Sequence, residues 1–311
     1  MENKITGGQI NAWLLAATVG PILSVVGRNG WLTVLPAAIV CGILCFCALS
    51  CRKNDLPRWL CVLELSWLMV FLAVIAKDSA TCWANSDGFP VIPIVLLLLS
   101  AFAAKHGACR SGRIGATLVW FVVPVLGVVF LAGIADAEPQ WIRPDIELPD
   151  ATLIGVLLTP CLFLFLGEDK CKSARWITVW IGLIAIAGSL LLDAVIGPED
   201  ATKAPNGFYE LSKSLNLFGV AERFEALIAC VLTISWFAFF TLILSTAYQL
   251  TKKILPMLAK WSVWIVVVIS GVLMCILPAR NEWTAVLTLI FWGFIPALTQ
   301  VLGRAKNIEK K

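Results

Sequence analysis

The 311-residue sequence has little charge and few of the side chains that carry out covalent chemistry in water. Only 14% is Asp, Glu, Lys or Arg, where a soluble domain carries roughly 25%. That shortage excludes an ordinary globular enzyme, a disordered tail and a nucleic-acid binder. Histidine occurs once, as His106, and a single loop histidine cannot build a Ser-His-Asp group across a membrane. No P-loop, HExxH motif or aspartate pair within an apolar run is present. No enzymatic activity and no cofactor are expected, and a zinc site is disfavoured because the clustered Cys41, Cys45 and Cys47 stand far in sequence from His106. These cysteines read as small polarizable packing residues of a helix. Of the 11 cysteines only Cys82 falls in a segment expected outside, so an outer disulfide is not expected.

What the sequence has in excess is apolar surface: 59% of residues are hydrophobic and the mean hydropathy is +0.89. About 20 apolar residues make one membrane-spanning helix, and only helices or closed barrels satisfy their backbone in lipid. Charged loops divide the chain into ten such runs. The first five are Gln9 to Val26, Trp31 to Ser50, Trp59 to Ala76, Pro90 to Ala104 and Ile114 to Ile134. The second five are Ala151 to Leu166, Trp176 to Ile196, Phe224 to Leu250, Leu258 to Leu277 and Trp283 to Leu302. The expected organisation is one polytopic membrane domain over residues 1–311: five helices in 1–134, an outer loop 135–150, five helices in 151–302 and a tail 303–311.

Basic residues fix the orientation, because cytoplasmic loops carry an excess of Lys and Arg. With the amino terminus inside, 17 of the 24 basic residues fall on the cytoplasmic side, leaving Arg28, Lys77, Arg143, Lys203, Lys213, Arg223 and Arg280 outside. Both termini are therefore expected in the cytoplasm. No cleavable signal peptide is evident in Gln9 to Val26. Two long outer segments, Ala135 to Asp150 and Gly197 to Glu222, are of the kind that cover something.

The first run of each half carries a glycine and a proline within it. The first has Gly20-Pro21 flanked by Thr18 and Ser24; the sixth has Gly155 and then Thr159-Pro160. Proline removes a helical hydrogen bond, and matching interruptions in two halves of a transporter point to a midplane ligand site. These seven residues are the expected ligand-binding set, with exposed N–H groups for an anionic group and freed carbonyls for a cation. The alternative is a simple kink, the role expected of Pro36, Pro93, Pro124 and Pro296. Glu64 lies within the third run and is a candidate coupling or gating carboxylate; the alternative is a pair with a cytoplasmic base. Glu222, Arg223 and Glu225 open the eighth run as a second gate candidate, helix capping being the alternative.

The sequence resembles the GerAB-type spore germination permeases, the B subunits of nutrient germinant receptors within the amino acid/polyamine/organocation transporter superfamily. The resemblance is strongest over Phe208 to Leu250, where Glu222-Arg223-Phe224-Glu225 matches the family's ERxE signature. It continues in FPVIPIVLLLLSAFAAKHGACRSGRIG, with Gly107 and Arg113 at the family's glycine and arginine positions, and in ITGGQINAWLLAATVGPIL and WLTVLPA near the amino terminus. It implies an all-α integral membrane protein of ten transmembrane helices in a LeuT-like 5+5 inverted repeat, with spans one and six interrupted around a small-molecule site. It further implies work beside receptor A and C subunits in a spore inner membrane, sensing an amino acid or similar nutrient. The competing expectation is a proton- or sodium-coupled amino acid permease, and a third is a ligand-free scaffold.

Overall fold

The computed structural model describes residues 6–50, 57–83, 91–142, 148–166, 174–204, 206–214, 224–278 and 282–308. Among these the secondary structure is helical throughout, with no strand. The helices are α1 (Gly7–Val25), α2 (Trp31–Ser50), α3 (Arg58–Trp83), α4 (Val91–Ala104), α5 (Ala108–Ala135), α6 (Ala151–Leu158) and α7 (Ala174–Ile196). They continue as α8 (Pro198–Lys203), α9 (Gly207–Ser214), α10 (Phe224–Ile254), α11 (Ala259–Ile276), α12 (Glu282–Thr288) and α13 (Ile295–Ile308). Among the described residues eight helical stretches are long and apolar enough to cross a membrane, and Val91–Ala104 and Ala151–Leu164 are shorter apolar helices. The architecture is compatible with an integral membrane protein.

Helix ends follow local chemistry. Thr6 caps α1 reciprocally with Gln9: its hydroxyl accepts from the Gln9 N–H at 3.3 Å, and the Gln9 side chain accepts from the Thr6 N–H at 3.0 Å. Gly107, at φ +89°, turns the chain between α4 and α5, a backbone conformation that side-chain-bearing residues seldom adopt. Several helices outrun the expected boundaries, two of them so as to take in charged residues at their ends. α5 begins at Ala108, taking in Arg110 and Arg113, and α3 reaches Trp83, taking in Lys77 and Asp78.

α1 is the most enclosed of the eight candidate spans, packed on α5, α10, α7 and α6. It is apolar all round, as a helix buried on every side must be. α2 packs on α7, α3 on α10 and α11, and α4 on α10 and α11. α5 is the least enclosed span and leaves Trp120 and Leu131 exposed to the surroundings. Between helices that lie in lipid, close packing must supply the attraction that water supplies elsewhere, so small residues sit where helices cross. At Gly115 a Cβ would lie 2.2 Å from the Trp13 ring of α1.

The tenth apolar run is not one α-helix. α12 passes through a π-helical segment, Leu289–Phe294, into α13. Wider i→i+5 turns of this kind accommodate a proline that cannot donate, and Pro296 follows immediately. The segment brings Trp292 against Phe71 of α3 with ring centroids 4.3 Å apart.

Candidate ligand-binding site

The interruption expected in the first span is absent: α1 runs as an α-helix through Gly20-Pro21 to Val25 and ends in a single 3-10 turn, Val26–Arg28. The reason lies in α10. The Gly20 N–H donates to Ser235 Oγ at 2.8 Å, and the same hydroxyl donates to the Ala16 carbonyl. Gly20 and Ala16 stand four apart, the spacing of one helical bond, so Ser235 engages both groups of a single rung of the ladder. Only glycine permits this approach. A Cβ on Gly20 would lie 2.4 Å from the Ser235 Cβ.

The sixth run behaves differently. Its α-helix stops at Leu158, and Thr159–Leu164 continues as 3-10 helix with Pro160 in the first turn. The tightened turns remain fully buried rather than opening. Gly155 allows Phe71 to reach the backbone of α6, where a Cβ would meet the ring at 1.9 Å. Cys161 of the 3-10 segment lies 3.0 Å, sulfur to sulfur, from Cys45 of α2, and Phe163 meets Trp13 of α1 edge to face.

The expected hydroxyls are each turned into their own helix. Thr18 donates to the Leu14 carbonyl at 2.8 Å, Ser24 to Gly20 at 2.9 Å and Thr159 to Gly155 at 2.9 Å. All three are fully buried. In this arrangement their protons are committed inward, and a ligand gains them only if α10 or the 3-10 segment moves away from α1.

Glu64 lies six residues into α3, roughly 9 Å from its first residue at about 1.5 Å per residue. It is 1% exposed, and its Oε1 has no hydrogen-bond partner. The expected alternative, pairing with a cytoplasmic base, is not seen at that oxygen. Of the second gate candidate, Glu222 and Arg223 lie outside the described residues; Glu225 stands half-buried in the first turn of α10.

A polar cluster that sequence reasoning missed closes the opposite end of the bundle. Arg28, just after α1, makes two hydrogen bonds to Asp78 of α3, at 2.7 and 3.1 Å. Thr152 of α6 donates to the same carboxylate at 2.7 Å, and Arg28 Nε lies 3.9 Å from Asp150. Asn29 accepts from the Asp150 N–H at 2.9 Å and receives at its carbonyl the Ser189 hydroxyl of α7 at 3.3 Å. Arg28 and Asp78 are almost wholly buried. A buried bidentate Arg–carboxylate pair is strong because both charges are satisfied in fixed geometry. The available signal was that Arg28 and Asp78 each follow an apolar run at the same expected face of the membrane.

Comparison with models of protein families and with curated proteins finds no match for this chain.

Proposed function

We propose that the chain is the membrane subunit of a nutrient germinant receptor of the GerAB type, binding an amino acid or similar small nutrient in a transporter-like pocket and signalling to A and C subunits. On this reading it lies in a cell or spore inner membrane with both termini cytoplasmic, built of ten spans in a LeuT-like 5+5 inverted repeat. α12, the π segment and α13 form the tenth span, and α8 and α9 lie outside the membrane.

The observation that carries the reading is the exchange symmetry of the packing. Numbering the spans one to ten, the first packs on the fifth as the sixth packs on the tenth. The first packs on the seventh as the sixth packs on the second, and the eighth on the fourth as the third on the ninth. Second with seventh and third with eighth map onto themselves. Such pairing is what two five-helix units related by a pseudo-two-fold axis produce. The serine-bridged first span and the 3-10 turn of the sixth meet at the centre of that arrangement. The germinant-receptor assignment itself is supported by the ERxE segment and the span-four resemblance. Binding free energy there would shift a two-state bundle that partner subunits read.

The test is thermal unfolding in nanodiscs against amino acids, nucleosides and sugars. A ligand at about a hundredfold over its dissociation constant stabilises by about 2.7 kcal/mol, and Thr159→Val, which keeps the shape and removes one hydroxyl, should reduce that shift. A bulky residue at Gly20 is the wrong probe, because it strikes Ser235 before it reaches any ligand. No shift with any compound overturns the pocket reading.

The second reading, a coupled permease, is favoured by one observation: the buried, unpartnered Oε1 of Glu64. A polar atom held inside a span without a partner is costly and is commonly tied to ion movement. For a permease, vesicles should accumulate an amino acid against its gradient, and Glu64→Gln should abolish accumulation while leaving exchange. Absence of accumulation removes this reading.

A further inference from the structure

A groove of about 390 Å³ runs along the outer surface between α2 and α7. Its floor is made of small residues, among them Gly42 and Gly182; its walls are Ile39 and Ile43 on one side and Val179 and Leu183 on the other, each about half exposed. At Gly42 an added Cβ would meet nothing within 4 Å, so the protein itself leaves that floor unfilled. One end is charged. Arg175 closes the groove at the first turn of α7, donating to Ser50 Oγ at 3.1 Å and lying 5.5 Å over the Phe46 ring. Next to it Trp176 is 72% exposed, the placement of an aromatic anchor at headgroup level.

We propose that this groove binds an anionic phospholipid, one acyl chain along the small-residue floor and the phosphate at Arg175. Three features select this occupant. The groove extends from Ala38 to Cys47 on α2 and from Arg175 to Ile186 on α7, roughly 14–17 Å at 1.5 Å per residue, which is the depth of one leaflet of a core about 30 Å thick. A partner helix, roughly 10–12 Å across, displaces far more than the 390 Å³ that the groove holds, a volume on the scale of one extended chain rather than of a helix. The guanidinium is planar, held in place by Ser50 and Phe46, and suited to bidentate phosphate contact. With its guanidinium fixed at that end, Arg175 favours a net negative headgroup over a zwitterionic one. The site does not depend on whether the chain senses or transports.

The experiment is native mass spectrometry of the full chain released from nanodiscs of equal phosphatidylglycerol and phosphatidylcholine. The wild type should retain phosphatidylglycerol preferentially. Arg175→Gln should lower that preference about fivefold, the factor carried by one basic residue near an anionic surface. Gly42→Leu should fill the floor and release either lipid. Gly271→Leu, on α11, also places its Cβ in open space and should retain lipid as the wild type does, which separates occupancy of this groove from a general effect of added bulk. Equal retention of the two lipids by the wild type overturns the proposal, as does unchanged retention in Gly42→Leu. A dimer mass lost in Gly42→Leu overturns it in favour of a second copy of the chain.

Discussion

Ser235 is the residue on which the first span turns. Its hydroxyl bonds both the Gly20 N–H and the Ala16 carbonyl of a continuous α1, in room that glycine leaves, so Ser235, Gly20 and Ala16 act as one unit. Ser235→Ala leaves the Gly20 N–H and the Ala16 carbonyl buried without this partner, and such groups cost about 1–3 kcal/mol each. A loss in that range is expected in thermal unfolding. Gly20→Ala should be similarly damaging because of its contact with the Ser235 Cβ, and Ser235→Gly should make that same substitution much milder. Additive losses in the double variant would show that the two sites do not touch. At this scale the sequence singled out Gly20-Pro21 as a break, and the helix runs through it. It gave no hint of Ser235, one hydroxyl in an apolar run, because its significance comes from a residue 215 positions away.

Among elements, the telling feature is how α1, α3, α6 and α7 are tied at the end opposite the amino terminus. Arg28, Asp78, Thr152 and Asn29 join them through buried hydrogen bonds, and Lys77 of α3 adds a bond at 2.7 Å to the Leu277 carbonyl at the end of α11, where a cation also meets the negative end of the helix dipole. Replacing one member of the buried pair strands the other charge. Arg28→Met is expected to cost about 3–5 kcal/mol, while Arg28→Met with Asp78→Leu should recover more than half of it. A double variant no better than the single one would mean that the pair has other essential partners. This cluster was illegible because periodicity and hydropathy locate spans but say nothing of which span ends converge. The expected end of the third span at Ala76 placed Asp78 in a loop, whereas α3 stays helical to Trp83 and carries Asp78 to Arg28 and Thr152.

For the whole molecule, basic residues make an orientation prediction independent of any ligand. A phosphatase or fluorescent reporter fused after residue 311 should report a cytoplasmic location, and one inserted within 135–150 an external one. The reverse result would invert the topology and carry the Arg28–Asp78 cluster to the cytoplasmic face. The exchange of packing partners between the first and second five spans belongs to this scale too. It shows in no local motif, since α1 runs on through its proline whereas the sixth run tightens into 3-10 turns at its own.

The sequence by itself determined that the chain is helical, apolar and cut into membrane-length runs, because a backbone in lipid has to bond within its own segment and charges must collect in the loops between. It also marked Gly20-Pro21 and Thr159-Pro160, since a missing N–H is a covalent fact. Only the tertiary structure decided what became of them: at Pro21 a neighbouring serine bridges the ladder and the helix continues, and at Pro160 the chain tightens into 3-10 turns packed on Cys45 and Trp13. Which side chain can reach a helix backbone at such a point is chosen by which helix lies beside it. That neighbour is set by the packing of the entire bundle.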